Sequence, residues 1–378
     1  MEKVADKLWF KNYKLGPYWL KKTLTYPKVP LHTVLDNTTA MFPTHVAIDF
    51  VGREIRYREL KLYVDKLATA LAGLGVKKGD KVATVIHNCP QFIIADWAIL
   101  KAGATSVPIS VLRKAPGLLQ EIGESGAETV ICVEDSLDEI NSIKDKTRLR
   151  NIIVTSKKEF TPGEEPTPKK INGVYQFRDL IAEAKPQPPE VEIDPMEDLA
   201  HLCFTGGATG LPKGVMITHY SRLTNIKQSI PWMYTPLEPG IKGKASFVIP
   251  VPLFHAYGHW GQQCAIYWGL RILILPDPRD ADAMVKVMKE HRPFFLCAVP
   301  TQLMRMVEKK IGRLPVMIMS AAAPLPKEVY DAVSNEMLMP IGEGYGLTET
   351  GPITHMNLTA FSKITGFAPN VKMSIGLP

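Results

Sequence analysis

Cysteine is scarce in this chain: Cys89, Cys132, Cys203, Cys264 and Cys297 are scattered, and no two have the spacing of a metal knuckle or a redox pair. That excludes a disulfide-stapled scaffold and a cysteine zinc module. An odd count without an export signal fits buried thiols in a reducing compartment. The nine histidines show no ligand spacing either, so no metal role is expected of them. No apolar run approaches the roughly 18 residues of a membrane helix. Residues 1–22 mix Glu, Lys, Asp, Trp and Tyr where a signal peptide would have its apolar core. A soluble, cytoplasmic protein is the expectation. A strong excess of one charge is also missing: 45 Lys and Arg face 38 Asp and Glu, a net charge of +7. The densest basic clusters, Lys157-Lys158, Lys169-Lys170 and Lys309-Lys310, lack the interleaved aromatics of a nucleic-acid surface. No internal repeat is visible, and oligomeric state is not readable.

What is present is a substantial apolar content, 46% of 378 residues, enough for two or three units with their own cores. Strand-like runs alternate with segments of helical period, which argues for an α/β fold with parallel sheets covered by helices. Residues 46–50 and 54–57 flank Val51-Gly52-Arg53 as a hairpin, and Leu60, Val64, Leu67 and Leu71 then recur at helical spacing. Strands are expected at 81–86, 105–109, 129–133 and 151–154, with helices at 90–101 and 117–125; Pro90 is acceptable only in a first turn. Further strands are expected at 199–205, 246–251, 271–275, 294–299 and 316–320, and helices near 219–229, 282–291, 302–310 and 327–338. A polar, proline-bearing stretch at 161–170 reads as an exposed excursion. The one at 185–195 reads as a junction, giving a first α/β unit over 1–195 and a second over 196–378.

The most informative segment is Thr205-Gly206-Gly207-Ala208-Thr209-Gly210-Leu211-Pro212-Lys213-Gly214, which follows an apolar strand. Glycines let backbone N–H groups converge on an anion, threonine hydroxyls add donors, and Lys213 supplies a point charge. The P-loop of NTPases needs Gly-Lys-Ser/Thr; here Pro212 precedes Lys213 and Gly214 follows it, so this is not that motif. Taken alone, the segment also fits an ordinary surface turn.

Three more segments follow in order: Pro252-Leu253-Phe254-His255-Ala256-Tyr257-Gly258, Ser320-Ala321-Ala322-Ala323-Pro324-Leu325 and Tyr345-Gly346-Leu347-Thr348-Glu349-Thr350-Gly351. Together with the loop they resemble the adenylate-forming superfamily of acyl-CoA synthetases, luciferases and peptide-synthetase adenylation domains. The resemblance runs from about Thr33 to the end. It implies two stacked αβαβα sheets, with the early hairpin able to join the second unit, a small β-barrel and a mobile carboxy-terminal domain. Ser374-Ile375-Gly376-Leu377-Pro378 resembles the segment that enters the barrel, so the expectation is an incomplete barrel and no mobile domain, with weak adenylation by this polypeptide alone.

By that resemblance, Thr205, Thr209 and Lys213, with the backbone of Gly206, Gly207, Ala208 and Gly210, contact the β- and γ-phosphates of ATP. The family usually has Thr or Ser where Ala208 stands, which leaves one hydroxyl missing and weaker or altered phosphate binding expected. Glu349 resembles the Mg2+ ligand, and Thr348 a donor to the α-phosphate. Tyr345 resembles the aromatic against adenine, with Gly344 and Gly346 beside it and Ala322, Ala323 and Pro324 as a backbone shelf. His255 resembles the residue beside the acyl carboxylate that helps open or close the acyl pocket; on its own a histidine among aromatics also fits a satisfied core side chain. His219 and His259 are read as structural. The acid pocket is expected to involve Tyr257, Gly258, Trp260, Gly342 and Gly344, with Trp260 lining an apolar channel suited to a fatty chain, although such glycines also serve tight turns. The implied reaction joins a carboxylic acid, of medium or long chain, to ATP as acyl-AMP with release of pyrophosphate, and then to coenzyme A. The positive net charge agrees with gathering two polyanions. Open alternatives are a nucleotide- and acyl-binding fragment without full activity, an aryl acid, transfer to a carrier-protein thiol, and luciferase-like oxidation.

Overall fold

The alternation of apolar runs and amphipathic segments folds into two sheets with helices between and outside them. The computed structural model describes residues 23–164, 172–205, 212–233, 237–336, 341–357 and 374–378. Among these, one sheet has eight strands in the order Ile353–Met356, Ile341–Gly346, Met317–Ser320, Phe295–Ala298, Ser246–Ile249, Arg271–Ile274, Val46–Phe50 and Arg53–Arg56. Its interior pairs are parallel, and an antiparallel pair closes each end. The other has seven, ordered Tyr175–Gln176, Asn151–Thr155, Thr129–Val133, Lys81–Val85, Thr105–Pro108, Leu199–Thr205 and Lys213–Thr218, all parallel but the last pair. Each sheet takes strands from both sides of residue 195: the early hairpin extends the eight-stranded sheet, and Leu199–Thr205 extends the seven-stranded one. No closed barrel occurs among the described residues.

The layers follow from which faces are apolar. Helices Pro90–Lys101 and Ala256–Tyr267 are buried along almost their whole circumference and belong to the largest apolar cluster, which also takes in strands of both sheets. A helix buried all round must lie between layers. Helix Tyr57–Gly73 buries the face carrying Leu60, Val64, Leu67 and Leu71, each worth about 2 kcal/mol of transfer free energy as an upper figure. Its first turn is closed by Glu59, which accepts a hydrogen bond from the Arg56 N–H at 2.9 Å. Outside the sheets, helices Ala281–His291, Pro300–Glu308 and Lys327–Glu336 cover the eight-stranded sheet, and Ala115–Ser125 with Leu137–Ile143 cover the seven-stranded one. The result is the stacked αβαβα arrangement. Pro90 stands in the first turn of its helix, where its missing N–H costs nothing.

Helix Ala256–Tyr267 is not among the helices expected from periodicity, because burial on every side erases it. Strand Lys213–Thr218, whose alternation of Lys213, Gly214, Val215 and Met216 is largely exposed, is likewise not among the expected strands. All five cysteines are buried free thiols.

Candidate active site

The phosphate-loop segment is a hairpin. Leu199–Thr205 and Lys213–Thr218 pair antiparallel, and the register sets Thr205 directly opposite Lys213. The connection carrying Gly206, Gly207, Ala208, Thr209 and Gly210 lies outside the described residues. Its two ends are fixed by the ladder, so the Thr205 and Lys213 backbones stand opposite each other at the mouth of the loop, with Lys213 exposed.

Thr205 opens into a cavity of about 370 Å³, within the usual range for a small-molecule site. The same cavity is lined by His255, Ala256 and Tyr257 from the start of a helix, Ala321 and Ala322 beyond strand Met317–Ser320, and Gly346, Leu347, Thr348, Glu349, Pro352 and Ile353. Three of the four sequence motifs thus converge with the end of the phosphate-loop strand. Ala323, Pro324, Gly342, Gly344, Tyr345 and Gly258 are close in the chain to lining residues without lining the cavity themselves, and Lys213, paired with Thr205 across the hairpin, does not line it either. Tyr345 is 44% exposed and meets His355 edge to face at 6.0 Å. Gly342 and Gly344 sit on strand Ile341–Gly346, the first opposite Met319 and the second against its side chain. Trp260 is fully buried, stacked on Tyr257 with centroids 6.4 Å apart, so it backs the cavity wall from the core.

Local chemistry explains each placement. His255 caps its helix: its Nδ1 accepts from the Tyr257 N–H at 3.4 Å, which puts the ring proton on Nε2. The side chain is open to the cavity yet crowded by protein, and desolvation lowers its pKa, so the imidazole is neutral at pH 7. Tyr257 is anchored by its hydroxyl, which donates to the Met319 carbonyl at 2.7 Å. Ala322 has φ +72°, a left-handed conformation that costs a residue with a Cβ about 1–2 kcal/mol. It turns the chain sharply where strand Met317–Ser320 ends and faces the small Ala322 side chain to the cavity.

The turn bearing Thr348 and Glu349 is built by two residues that no motif flagged. Asn225, on helix His219–Met233, donates to the carbonyls of Ile353 at 2.7 Å and Thr350 at 3.2 Å and accepts from the Ile353 N–H at 3.3 Å. Arg222, fully buried on the same helix, donates to the Gly351 carbonyl at 2.9 Å. Gly351–Pro352 is a cis peptide. Within the turn, Leu347 N–H donates to the Pro352 carbonyl at 2.9 Å. Thr350 Oγ1 donates to the carbonyls of Leu347 and Pro352. The Glu349 carboxylate and Thr348 hydroxyl therefore project from a rigid loop. A hard anionic oxygen beside hydroxyl donors suits Mg2+ carried in with phosphates. Elsewhere, and against the expectation from spacing, two histidines do meet an acid: Asp96, His201 and His259 bring ligand-type atoms within 4.8 Å of one another, all buried.

A family model described as AMP-binding enzyme matches residues 35–378. The chain belongs to this AMP-binding enzyme family. Its similarity to a long-chain-fatty-acid–CoA ligase of Bacillus subtilis is 29% identity over 99% of this chain and 68% of that one. To 4-coumarate–CoA ligase 2 of Oryza sativa subsp. japonica it is 30% over 82% of this chain and 55% of the relative. Among solved structures, a long-chain-fatty-acid–CoA ligase from Archaeoglobus fulgidus superposes with TM-score 0.79 at 20% identity, covering 94% of this chain and 70% of that one. That likeness establishes the shared fold. The chain thus spans roughly half to two thirds of the length of these curated relatives. Among the described residues of this AMP-binding family member, no helix is long and apolar enough to cross a membrane.

Proposed function

We propose that this chain binds ATP and a carboxylic acid in the Thr205–Glu349 cavity and activates the acid by adenylation. The observation that carries the reading is the cavity itself, which gathers Thr205, His255, Tyr257, Ala322, Thr348 and Glu349 from segments far apart in the sequence. In the reaction a carboxylate oxygen forms a bond to the α-phosphorus, and the bond from that phosphorus to the bridging oxygen breaks. Pyrophosphate leaves with the electron pair, and acyl-AMP remains. The thiolate of coenzyme A then attacks the acyl carbon and AMP departs. No general base is required in the first step because the acid is already ionised; charge neutralisation and alignment do the catalysis.

Lys213 and Thr205 at the loop mouth bind the outer phosphates, and Thr348 donates to the α-phosphate. Glu349 would hold Mg2+, which supplies further neutralisation of phosphate charge when bound. Tyr345 and the Ala322-Ala323-Pro324 shelf flank the base, with Gly344 and Gly346 allowing close approach. Neutral His255 and the ring of Tyr257 border the acid. We infer a medium- or long-chain fatty acid, supported by the Bacillus relative and by the apolar Ala256, Tyr257 and Ile353 around the cavity. The rice relative favours an aryl acid as the second reading. We place the enzyme in the cytoplasm. The test is acid-dependent exchange of pyrophosphate into ATP with saturated fatty acids and cinnamic acids as two panels, alongside calorimetric titration with ATP. ATP binding with exchange on the fatty panel supports the proposal, and exchange confined to the cinnamic panel replaces the acid. ATP binding without exchange leaves a nucleotide-binding unit, and no ATP binding defeats the reading.

A further inference from the structure

In the core between the two sheets lies a buried carboxylate with an unusual set of partners. Asp96, on helix Pro90–Lys101, is 1% exposed. Its Oδ2 receives three contacts from the opposing helix Ala256–Tyr267: His259 Nε2 at 2.8 Å, Gln262 Nε2 at 3.0 Å and Gln263 Nε2 at 3.1 Å. Its Oδ1 faces His201 Nε2 at 3.3 Å, on strand Leu199–Thr205. Gln262 in turn accepts from the Trp97 indole N–H at 3.0 Å. All four partner side chains are fully buried. Burial pushes the Asp96 carboxyl up, but the imidazoles of His259 and His201 outweigh it and hold it well below the usual carboxylate range. Burial lowers His201 to about 3. The centre is therefore an anion solvated by N–H groups, in place of water.

We propose that Asp96 is a positioning residue for the candidate active site, tying strand Leu199–Thr205 to helix Ala256–Tyr267 so that Thr205 and His255 face one cavity. The inference rests on the adenylation reading of that cavity. His201 is four residues before Thr205 on the same strand, in continuous register with Lys213–Thr218 from His201 onward. His259 is four after His255, one helical turn along the same face. The strand belongs to the seven-stranded sheet and the helix to the layer between the sheets. Apolar contact alone sets a spacing loosely, while a polar cluster fixes it in distance and direction: three contacts from the helix to Oδ2, the 3.3 Å approach of His201 to Oδ1, and the 3.2 Å contact of Gln263 Nε2 with the same His201 nitrogen. Removing the charge leaves its donors unpaired and lets the two walls slide. A metal ion in the same cluster fits less well. Oδ2 already holds three donors, and although Oδ1 has no hydrogen-bond partner, neither do the Nδ1 atoms of His201 and His259, which in metal-ligating histidines are usually oriented by one.

The test uses two probes on the purified chain: ATP, which engages the Thr205 side, and an acyl-sulfamoyl-adenosine analogue, which spans both walls. The variants are Asp96→Asn, His201→Gln, which frees the strand alone, and Asp96→Asn/Gln263→Glu, which moves the carboxylate across the 3.1 Å contact to the helix. A wall displaced by about 1 Å costs a spanning ligand roughly a hundredfold, so a loss of at least about tenfold is expected for the analogue in both single variants, against about threefold or less for ATP. The exchanged pair is expected to recover most of that loss. If Asp96→Asn does not fold, His201→Gln and the exchanged pair carry the same comparison. Equal losses for both probes, or no loss in His201→Gln and no recovery in the exchanged pair, would overturn the proposal. So would one equivalent of transition metal by elemental analysis. Failure of the wild-type chain to bind either probe would instead remove the adenylation reading on which the proposal depends.

Discussion

Adding a single methyl group at three glycines of the candidate site should have three sharply different effects. At Gly346 a Cβ would stand 1.7 Å from the Pro352 carbonyl oxygen and 2.7 Å from its carbon. Those atoms are backbone, and contacts under 3.0 Å do not occur, so the chain at 346 and at 352 must part by more than an ångström. That parting breaks the 2.9 Å bond from Leu347 N–H to the same carbonyl and moves the turn bearing Thr348 and Glu349. Overpacking of 1–3 kcal/mol plus a hydrogen bond of about 1 gives an expected cost of about 2–4 kcal/mol for Gly346→Ala. At Gly258 the new methyl would meet the Pro252 carbonyl oxygen at 2.3 Å, again backbone, but alanine's helix preference returns up to about 1 kcal/mol. The expected net cost is about 1–2 kcal/mol. At Gly344 the nearest atom is Met319 Sδ at 3.6 Å, ordinary contact, so Gly344→Ala should be neutral or stabilising by up to about 1 kcal/mol. None of the three glycines has a left-handed φ, so backbone strain does not confuse the order. Urea unfolding of the three variants, with calorimetric titration of ATP, measures it. Gly346→Ala should also lose roughly tenfold to a hundredfold in ATP affinity, because the turn proposed to contact the α-phosphate has moved. A Gly346→Ala protein as stable as Gly344→Ala and equal to it in ATP affinity would refute the packing argument at the site.

Further outcomes follow from the same structure. Asn225→Ala strips the Thr348–Thr350 turn of three hydrogen bonds; a stability loss of about 2–3 kcal/mol is expected in urea unfolding, with weakened ATP binding, and an unchanged ATP affinity would show that the turn holds its shape without Asn225. Lys213→Ala, on an exposed strand end, should leave stability within about 0.5 kcal/mol while weakening ATP by roughly tenfold to a hundredfold in titration; wild-type affinity would remove Lys213 from phosphate binding. His219 is buried and its pKa is lowered to about 4 by desolvation, so the unfolded chain takes up its proton near 6.5 while the folded one does not. Its stabilising contribution is thus intact above pH 6.5 and is lost as pH falls towards 4, by about 3 kcal/mol. His219→Asn keeps an acceptor for the Leu31 N–H and should flatten that limb of the stability–pH curve; an unchanged slope between pH 6.5 and 4 would exclude His219 as its source.

The fold was largely legible because its parts announce themselves locally. The hairpin at Val46–Arg56, the face Leu60-Val64-Leu67-Leu71 and Pro90 in a first turn all follow from periods and turn chemistry within a few residues. Legibility failed where burial is total. Helix Ala256–Tyr267 has no solvent-facing side, because it lies between two sheets, and its polar His259, Gln262 and Gln263 are turned inward to Asp96, so no surface period betrays it. The candidate site divides in the same way. Thr205, His255, Ala322, Thr348 and Glu349 were found through contiguous motifs, and the structure brings all five to one cavity. Asn225, Arg222, Asp96 and His201 stand in no motif, since each acts through a partner 62 to 167 positions away. Contiguous motifs therefore reveal groups that face the ligand, whose spacing the ligand imposes. The residues that hold those groups in place answer only to the fold. Their identity can be read only once the layers are assembled, and the strongest such case here is a carboxylate in the middle layer that joins two walls of the same cavity.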